Sequence, residues 1–371
     1  MTDAVSPHLW LALSPHGYGH AAMTAPVVQE LRRRRPGLRL TIQTAISRPF
    51  LETRYGRDFT HVDRIADFGL RMRSATEIDL EASAQGYLDL HADWDGLIGR
   101  EAEFLRAAAP DLVLANAPYV TIAAAVRAGI PVVAMSSLQW ADMYRHYLGG
   151  RPESERIAGQ MAEAYNQAEA FLRVTPAMDM PSLSRIIEIG PVGSRGKARS
   201  GHLRATLGVG PETRLGLVAF GGIDHGLALD DWPQLPGWLW LSSLDLPPGR
   251  QDFRRWEEGG LGFSDTLASV DVVVTKPGYG TFVEAALSRI PVLFVRRPDW
   301  PESPHLDNWL MAHARALPVE VETLLGQGLA SQLQMLFSLP DPGLADVSGN
   351  DEAASLLELM LDGRSIYCER S

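Results

Sequence analysis

Short apolar runs alternate with stretches of helical periodicity along almost the whole chain. Runs at 8–13, 38–44, 60–65, 112–115, 132–135 and 171–174 have the length of buried strands, and helices are expected between them. The helix 21–34 places Val27, Val28 and Leu31 on one side, and a long, partly polar helical stretch covers 77–106. Beyond residue 199 the alternation resumes, with strands expected at 215–220, 238–241, 272–275 and 292–295. Helices are expected near 201–207, 265–268, 281–288 and 305–313, and a last one at 351–361 has Leu356, Leu357 and Met360 to bury. Repeated strand-helix units of this kind form parallel sheets covered by helices, an α/β class.

Between the two series, residues 175–199 carry Pro176, Pro181, Gly190, Pro191, Gly193 and Gly196 around one short apolar run, 186–189. This composition predicts an interdomain linker at 176–199. The expected organisation is therefore an N-terminal α/β domain at 1–175, a second at 200–348, and a C-terminal helical segment at 349–371 suited to packing back on the first domain. With 371 residues, each half is long enough to bury its own core.

Composition narrows the partners. Hydrophobic residues make up 46% and charged ones 21%, as in a soluble globular protein, and the net charge of −11 argues against a nucleic-acid partner, whose phosphates demand a basic face. The single cysteine, Cys368, excludes disulfides within the chain and cysteine-rich zinc sites, which fits a cytoplasmic location. No basic leader or apolar span is expected near the N-terminus, where the run 9–13 is too short for either. Arg32, Arg33, Arg34 and Arg35 leave peripheral contact with a membrane surface open, beside the commoner reading of a solvated charge run.

The most specific stretch is Asp271-Val-Val-Val-Thr-Lys-Pro-Gly-Tyr-Gly-Thr-Phe-Val-Glu284, followed by the strand 292–295. It reads as a buried strand, a glycine turn and a helix starting at Thr281, so the N–H groups around Gly278, Gly280 and the first helical turn converge on a spot suited to phosphate. Glu284 has two readings: a carboxylate placed for ribose hydroxyls, or the glutamate of a Thr281-x-x-Glu284 capping box. Gly221 and Gly222 form a second glycine turn after the strand 215–220. Arg296 and Arg297 end the strand 292–295 and could offset a pyrophosphate, and His305, Asp307 and Asn308 follow a proline-rich loop at the head of the next helix.

At the N-terminus, the first strand runs into Ser14-Pro-His-Gly-Tyr-Gly-His20. Gly17-Tyr-Gly-His-Ala-Ala22 satisfies G-x-G-x-x-A, but the next strand ends in Ala45-Ile-Ser47 without the carboxylate that a dinucleotide ribose requires. The glycines instead set His16 and His20 at the sheet rim, where a neutral imidazole can act as general base or simply hydrogen-bond its loop. There is no P-loop, nucleophile elbow or H-E-x-x-H, and the adjacent Asp230 and Asp231 diverge, so no metal site is expected.

Together these residues resemble the GT-B superfamily of nucleotide-sugar glycosyltransferases, especially the MurG-like and UDP-glycosyltransferase-like branch. Pro15 to His20, with Pro26 and Leu31, is similar to the family's N-terminal Gly-His loop; residues 271–291, with Gly278 and Glu284, are similar to its donor signature. The same stretches, and Glu188-Ile-Gly-Pro-Val-Gly193, also resemble the glycosyltransferase-like N-terminal part of arabinokinases.

The resemblance implies two Rossmann-like domains facing a central cleft, with the acceptor on the N-terminal side. It implies a nucleotide-sugar co-substrate, a UDP-sugar first, and no separate cofactor. Glu284 would hold the ribose, while Gly278, Tyr279, Gly280 and Thr281 would surround the diphosphate with Lys276 and Arg296, opposite Gly221 and Gly222. His305 and Asp307 would stand near the sugar, and His20 would deprotonate the acceptor hydroxyl. Many members support that histidine with an aspartate; here the strand 112–115 leads into Asn116, which can orient the ring. The rival expectations are a nucleotide-sugar epimerase or hydrolase and a non-catalytic sugar-nucleotide-binding protein.

Overall fold

The computed structural model describes residues 6–74, 77–220 and 229–367. Two compact units divide the chain. The first contains most of the chain up to Val192 together with the segment from Ser348, and the second contains Gly193–Val347.

Seven strands build the sheet of the first unit: β1 (His8–Leu13), β2 (Arg39–Gln43), β3 (Thr60–Val62), β4 (Leu112–Asn116), β5 (Val132–Ser136), β6 (Ala170–Val174) and β7 (Ile186–Ile189). Their order is β3-β2-β1-β4-β5-β6-β7, and every pairing is parallel. The central strands β1, β4 and β5 are buried along their whole length. Burial on both faces explains why they read as unbroken apolar runs. The second unit has β8 (Arg214–Ala219), β9 (Trp238–Ser242), β10 (Phe253–Arg255), β11 (Val272–Thr275), β12 (Val292–Val295) and β13 (Ala316–Val319), in the parallel order β10-β9-β8-β11-β12-β13.

Three local expectations change. The helical stretch 77–106 is two helices, Leu80–Leu90 and Trp94–Ala108, each with its own aspartate cap: Asp79 accepts from Ala82 N–H at 3.0 Å and Asp93 from Gly96 N–H at 3.2 Å. The expected linker 176–199 contains β7, the edge strand of the first sheet, so the units meet in sequence between Val192 and Gly193. An edge strand buried on only some residues resembles a linker because its apolar run is short. The edge strands β10 and β13 were not anticipated for the same reason, and β13 carries Pro318, which only an edge accommodates readily.

The helix Ser348–Leu361 packs on the helix Gly19–Arg34 within the first unit. Ala353, Ala354 and Leu357 are wholly buried there. This contact changes the reading of the basic run. Arg34 pairs with Glu30 at 2.8 Å and with Asp351, and Arg35 with Glu358 at 2.9 Å and Asp362 at 2.7 Å. Arg33 pairs with Glu30, and Arg32 donates to the Tyr55 and Asp58 carbonyls. Arg34 and Arg35 thus form an ionic seam between two helices, while Arg33 keeps most of its side chain in solvent. Among the described residues, no helix is long and apolar enough to cross a membrane.

Candidate functional site

In a parallel sheet, all strands end at one edge, and a crevice opens where neighbouring strands continue in opposite directions. In the first unit that point lies between β1 and β4, because the chain passes from β1 to β2 and from β4 to β5. The register sets Leu13 directly beside Asn116. The loop after β1 turns at Gly17, whose φ of 79° lies in the region that glycine adopts without strain, and the helix Gly19–Arg34 then begins. His20 therefore stands in a first helical turn above the end of β4.

The His20 ring is only 6% exposed, and its Nδ1 lies 2.5 Å from Asn116 Oδ1. Asn116 Nδ2 donates to Met23 Sδ at 3.2 Å, which directs the amide oxygen at the imidazole. An amide oxygen only accepts, so Nδ1 carries the proton and Nε2 keeps its lone pair. Burial favours the neutral ring and holds the His20 pKa below its ordinary value, against the opposing hydrogen bond that the ring donates to Asn116. The Asn116 carbonyl accepts from Ser14 N–H at 2.9 Å, and the next carbonyl, Ala117, accepts from Tyr165 Oη–H at 2.6 Å. His16 is half-buried; its ring meets Trp140 edge-on at 5.3 Å, while His20 lies 6.2 Å from the same indole. Trp140, fully buried at the start of the helix Trp140–Leu148, had no place in the sequence reading. Its position just beyond the end of β5 was the available signal.

In the second unit the switch point lies between β8 and β11. Gly221 and Gly222, which follow β8, lie outside the described residues. After β11 come Lys276, Pro277 and Gly278, then the helix Tyr279–Ser288, which starts two residues earlier than expected. Gly278 is the extended N-cap and makes no side-chain cap bond; the first intrahelical bond runs from Phe282 N–H to Gly278 O at 3.1 Å. The N–H groups of Tyr279, Gly280 and Thr281 thus form the helix's positive end.

This start overturns the capping-box reading. Thr281 lies inside the helix, and Glu284 is in the second turn, 2% exposed, accepting from Ser264 Oγ–H at 3.0 Å.

Burial lowers the Lys276 pKa to about 8, aided by the like charge of Arg297 and opposed by Glu302. The ammonium remains charged at pH 7. Of the two arginines, Arg296 is exposed and Arg297 is buried, with its guanidinium 4.0 Å from the Trp300 ring centre. Trp300 Nε1–H donates to Glu302 Oε2 at 3.2 Å. On the helix Ser303–His313, Asp307 is buried and its pKa is pushed up to about 6 by burial, against the pull of Arg296. Its Oδ1 and the Ser303 Oγ one turn earlier are buried without hydrogen-bond partners among the described residues. His305 is half-buried and Asn308 exposed. Lys276 thus lies near Arg297 and Glu302, and Asp307 one turn from Ser303; of these neighbours, Glu302 and Ser303 were missing from the sequence reading.

No protein-family model matches the chain. The L-arabinokinase of Arabidopsis thaliana is 26% identical over 378 residues, covering 98% of this chain and 35% of that protein. The chain therefore spans about a third of the length of the curated relative it matches. A Listeria monocytogenes structure assigned as a UDP-N-acetylglucosamine 2-epimerase superposes with a TM-score of 0.61 at 12% identity, covering 99% of both chains. The kitacinnamycin glycotransferase superposes with a TM-score of 0.60 at 18% identity, covering 96% of this chain and 99% of that one. The two parallel-sheet units, their switch-point loops and these likenesses agree: the chain has the GT-B fold and resembles the glycosyltransferases built on it.

Proposed function

We propose that the protein is a metal-independent glycosyltransferase that moves a sugar from a nucleotide-sugar donor to a hydroxyl acceptor. The observation that carries this reading is the buried His20–Asn116 pair at the switch point of the first sheet, which leaves Nε2 as a base. In the proposed reaction, His20 Nε2 takes the acceptor's hydroxyl proton as its oxygen bonds to the anomeric carbon. The bond from that carbon to the diphosphate breaks, and the electron pair leaves on the diphosphate. Lys276 and the N–H groups of Tyr279, Gly280 and Thr281 then stabilise its charge. Glu284 would accept from ribose hydroxyls, and Asp307 with Ser303 would meet the sugar.

Thermal shift against UDP-, TDP-, GDP- and ADP-sugars tests the donor site, since a ligand that binds only the native state raises its melting temperature. A rise of several degrees with one nucleotide, UDP first, and its loss in Lys276→Met are expected. No shift with any donor would remove the assignment. The likeness to a nucleotide-sugar epimerase supports a second reading, in which the same donor is converted without an acceptor. Donor turnover in acceptor-free buffer would favour it.

A further inference from the structure

The loop after β3 does something that neither the GT-B fold nor the donor chemistry requires. β3 is the sheet edge, yet residues 67–70 reach two groups that surround His20 at the centre of the rim. Asp67, 2% exposed, accepts from Val120 N–H at 3.0 Å and also from the backbone of Tyr119. These amides open the helix Tyr119–Ala128, whose own N-cap, Pro118, provides no side-chain bond. Asp67 thereby caps, from outside, the helix that begins three residues after Asn116.

Two residues on, Gly69 has φ 70°, and a Cβ there would lie 2.6 Å from Trp140 Cζ2. Its carbonyl accepts from Tyr87 Oη–H. Trp140 in turn walls both His16 and His20.

We propose that residues 67–70 are a positioning strap for His20: Asp67 holds the Asn116 loop that orients the ring, and Gly69 seats the Trp140 wall against it. Tyr165 ties the two contacts together, donating to the Ala117 carbonyl at 2.6 Å and accepting from Trp140 N–H at 3.3 Å. The buried carboxylate that Asn116 does not supply thus stands one layer behind it. The catalytic meaning of the strap rests on His20 being the base; its structural effect on the ring does not.

The test reads the imidazole directly. In protein labelled with 15N-histidine, with the His20 signals assigned by their loss in His20→Gln, the wild type should show one neutral tautomer, protonated on Nδ1. In Asp67→Ala and Gly69→Ala, both ring-nitrogen shifts should move toward the two-tautomer average while the circular dichroism stays native. Asp67→Asn, whose amide oxygen can still accept from Val120 N–H, should restore the wild-type shifts. Unchanged His20 shifts in the folded Ala variants would overturn the proposal. A wild-type ring that already averages its tautomers would also overturn it, without any variant. Absence of sugar transfer would remove the base role of His20 and leave these shifts as informative as before.

Discussion

At the residue scale, environment rather than residue type decides what each candidate can do. His20 has the form of a base because burial keeps it neutral and a one-way acceptor selects its tautomer, whereas His16, four residues away, is half-buried with its ring edge-on to Trp140. Asp67 is the stronger case. Burial raises its pKa from 3.8 to about 7, against the bonds from Val120 and Tyr119. Because the folded value exceeds the unfolded one, its contribution to stability is full below about pH 4 and is lost as pH rises through about 7. Asp67→Asn keeps the acceptor and cannot ionise. Its stability relative to wild type should therefore grow between pH 5 and pH 8, by on the order of 2–4 kcal/mol, in denaturant melts at the two pH values. Parallel curves would show that Asp67 does not ionise in this range. The sequence singled out His20, Asn116, Glu284 and Lys276 as candidates because each directly follows or belongs to a recognisable strand-turn-helix unit. Asp67 and Glu302 were illegible because their importance comes from neighbours distant in sequence, and Trp140 offered only its place just beyond a strand end.

At the element scale, the same helix start has different consequences in the two units. Gly19 and Gly278 each stand at a strand-to-helix turn, but the first helix presents an imidazole and the second a set of bare amides. The later end of the first helix carries a separate stabilising device. Arg34 is largely covered and faces Glu30, Asp351 and Glu358, so its ion pairs form a network rather than an isolated surface contact. Arg34→Glu would put a fourth acid among these three, and a loss of about 1–3 kcal/mol is expected in urea melts. Restoration by adding Glu358→Arg would assign the loss to the pairing, whereas an additive double variant would assign it elsewhere. The periodicity of the final helix was legible in sequence, with Leu356, Leu357 and Met360 as its buried side. Its partner was not, since an apolar stripe specifies burial without specifying against what.

At the scale of the whole molecule, the first unit is completed by a segment that follows the second in sequence. Removing residues 348–371 would expose the covering side of the helix Gly19–Arg34 and take away Ala353, Ala354 and Leu357, each fully buried. Amide exchange should then accelerate in residues 19–34 and stay unchanged in residues 272–295 of the second unit. Equal acceleration in both would contradict the assignment of this helix to the first unit alone. By itself, the sequence determined the α/β class, two parallel-sheet units and the two strand-turn-helix motifs, because period, run length and glycine placement are local properties read along the chain. Only the tertiary structure decided that β7 belongs to the first sheet, that Arg34 and Arg35 form a seam, that Glu284 bonds Ser264 rather than capping its helix, and that residues 67–70 brace His20. Each of these depends on which groups meet across dozens of residues, and on burial, which sets both the proton on an imidazole and the cost of a carboxylate.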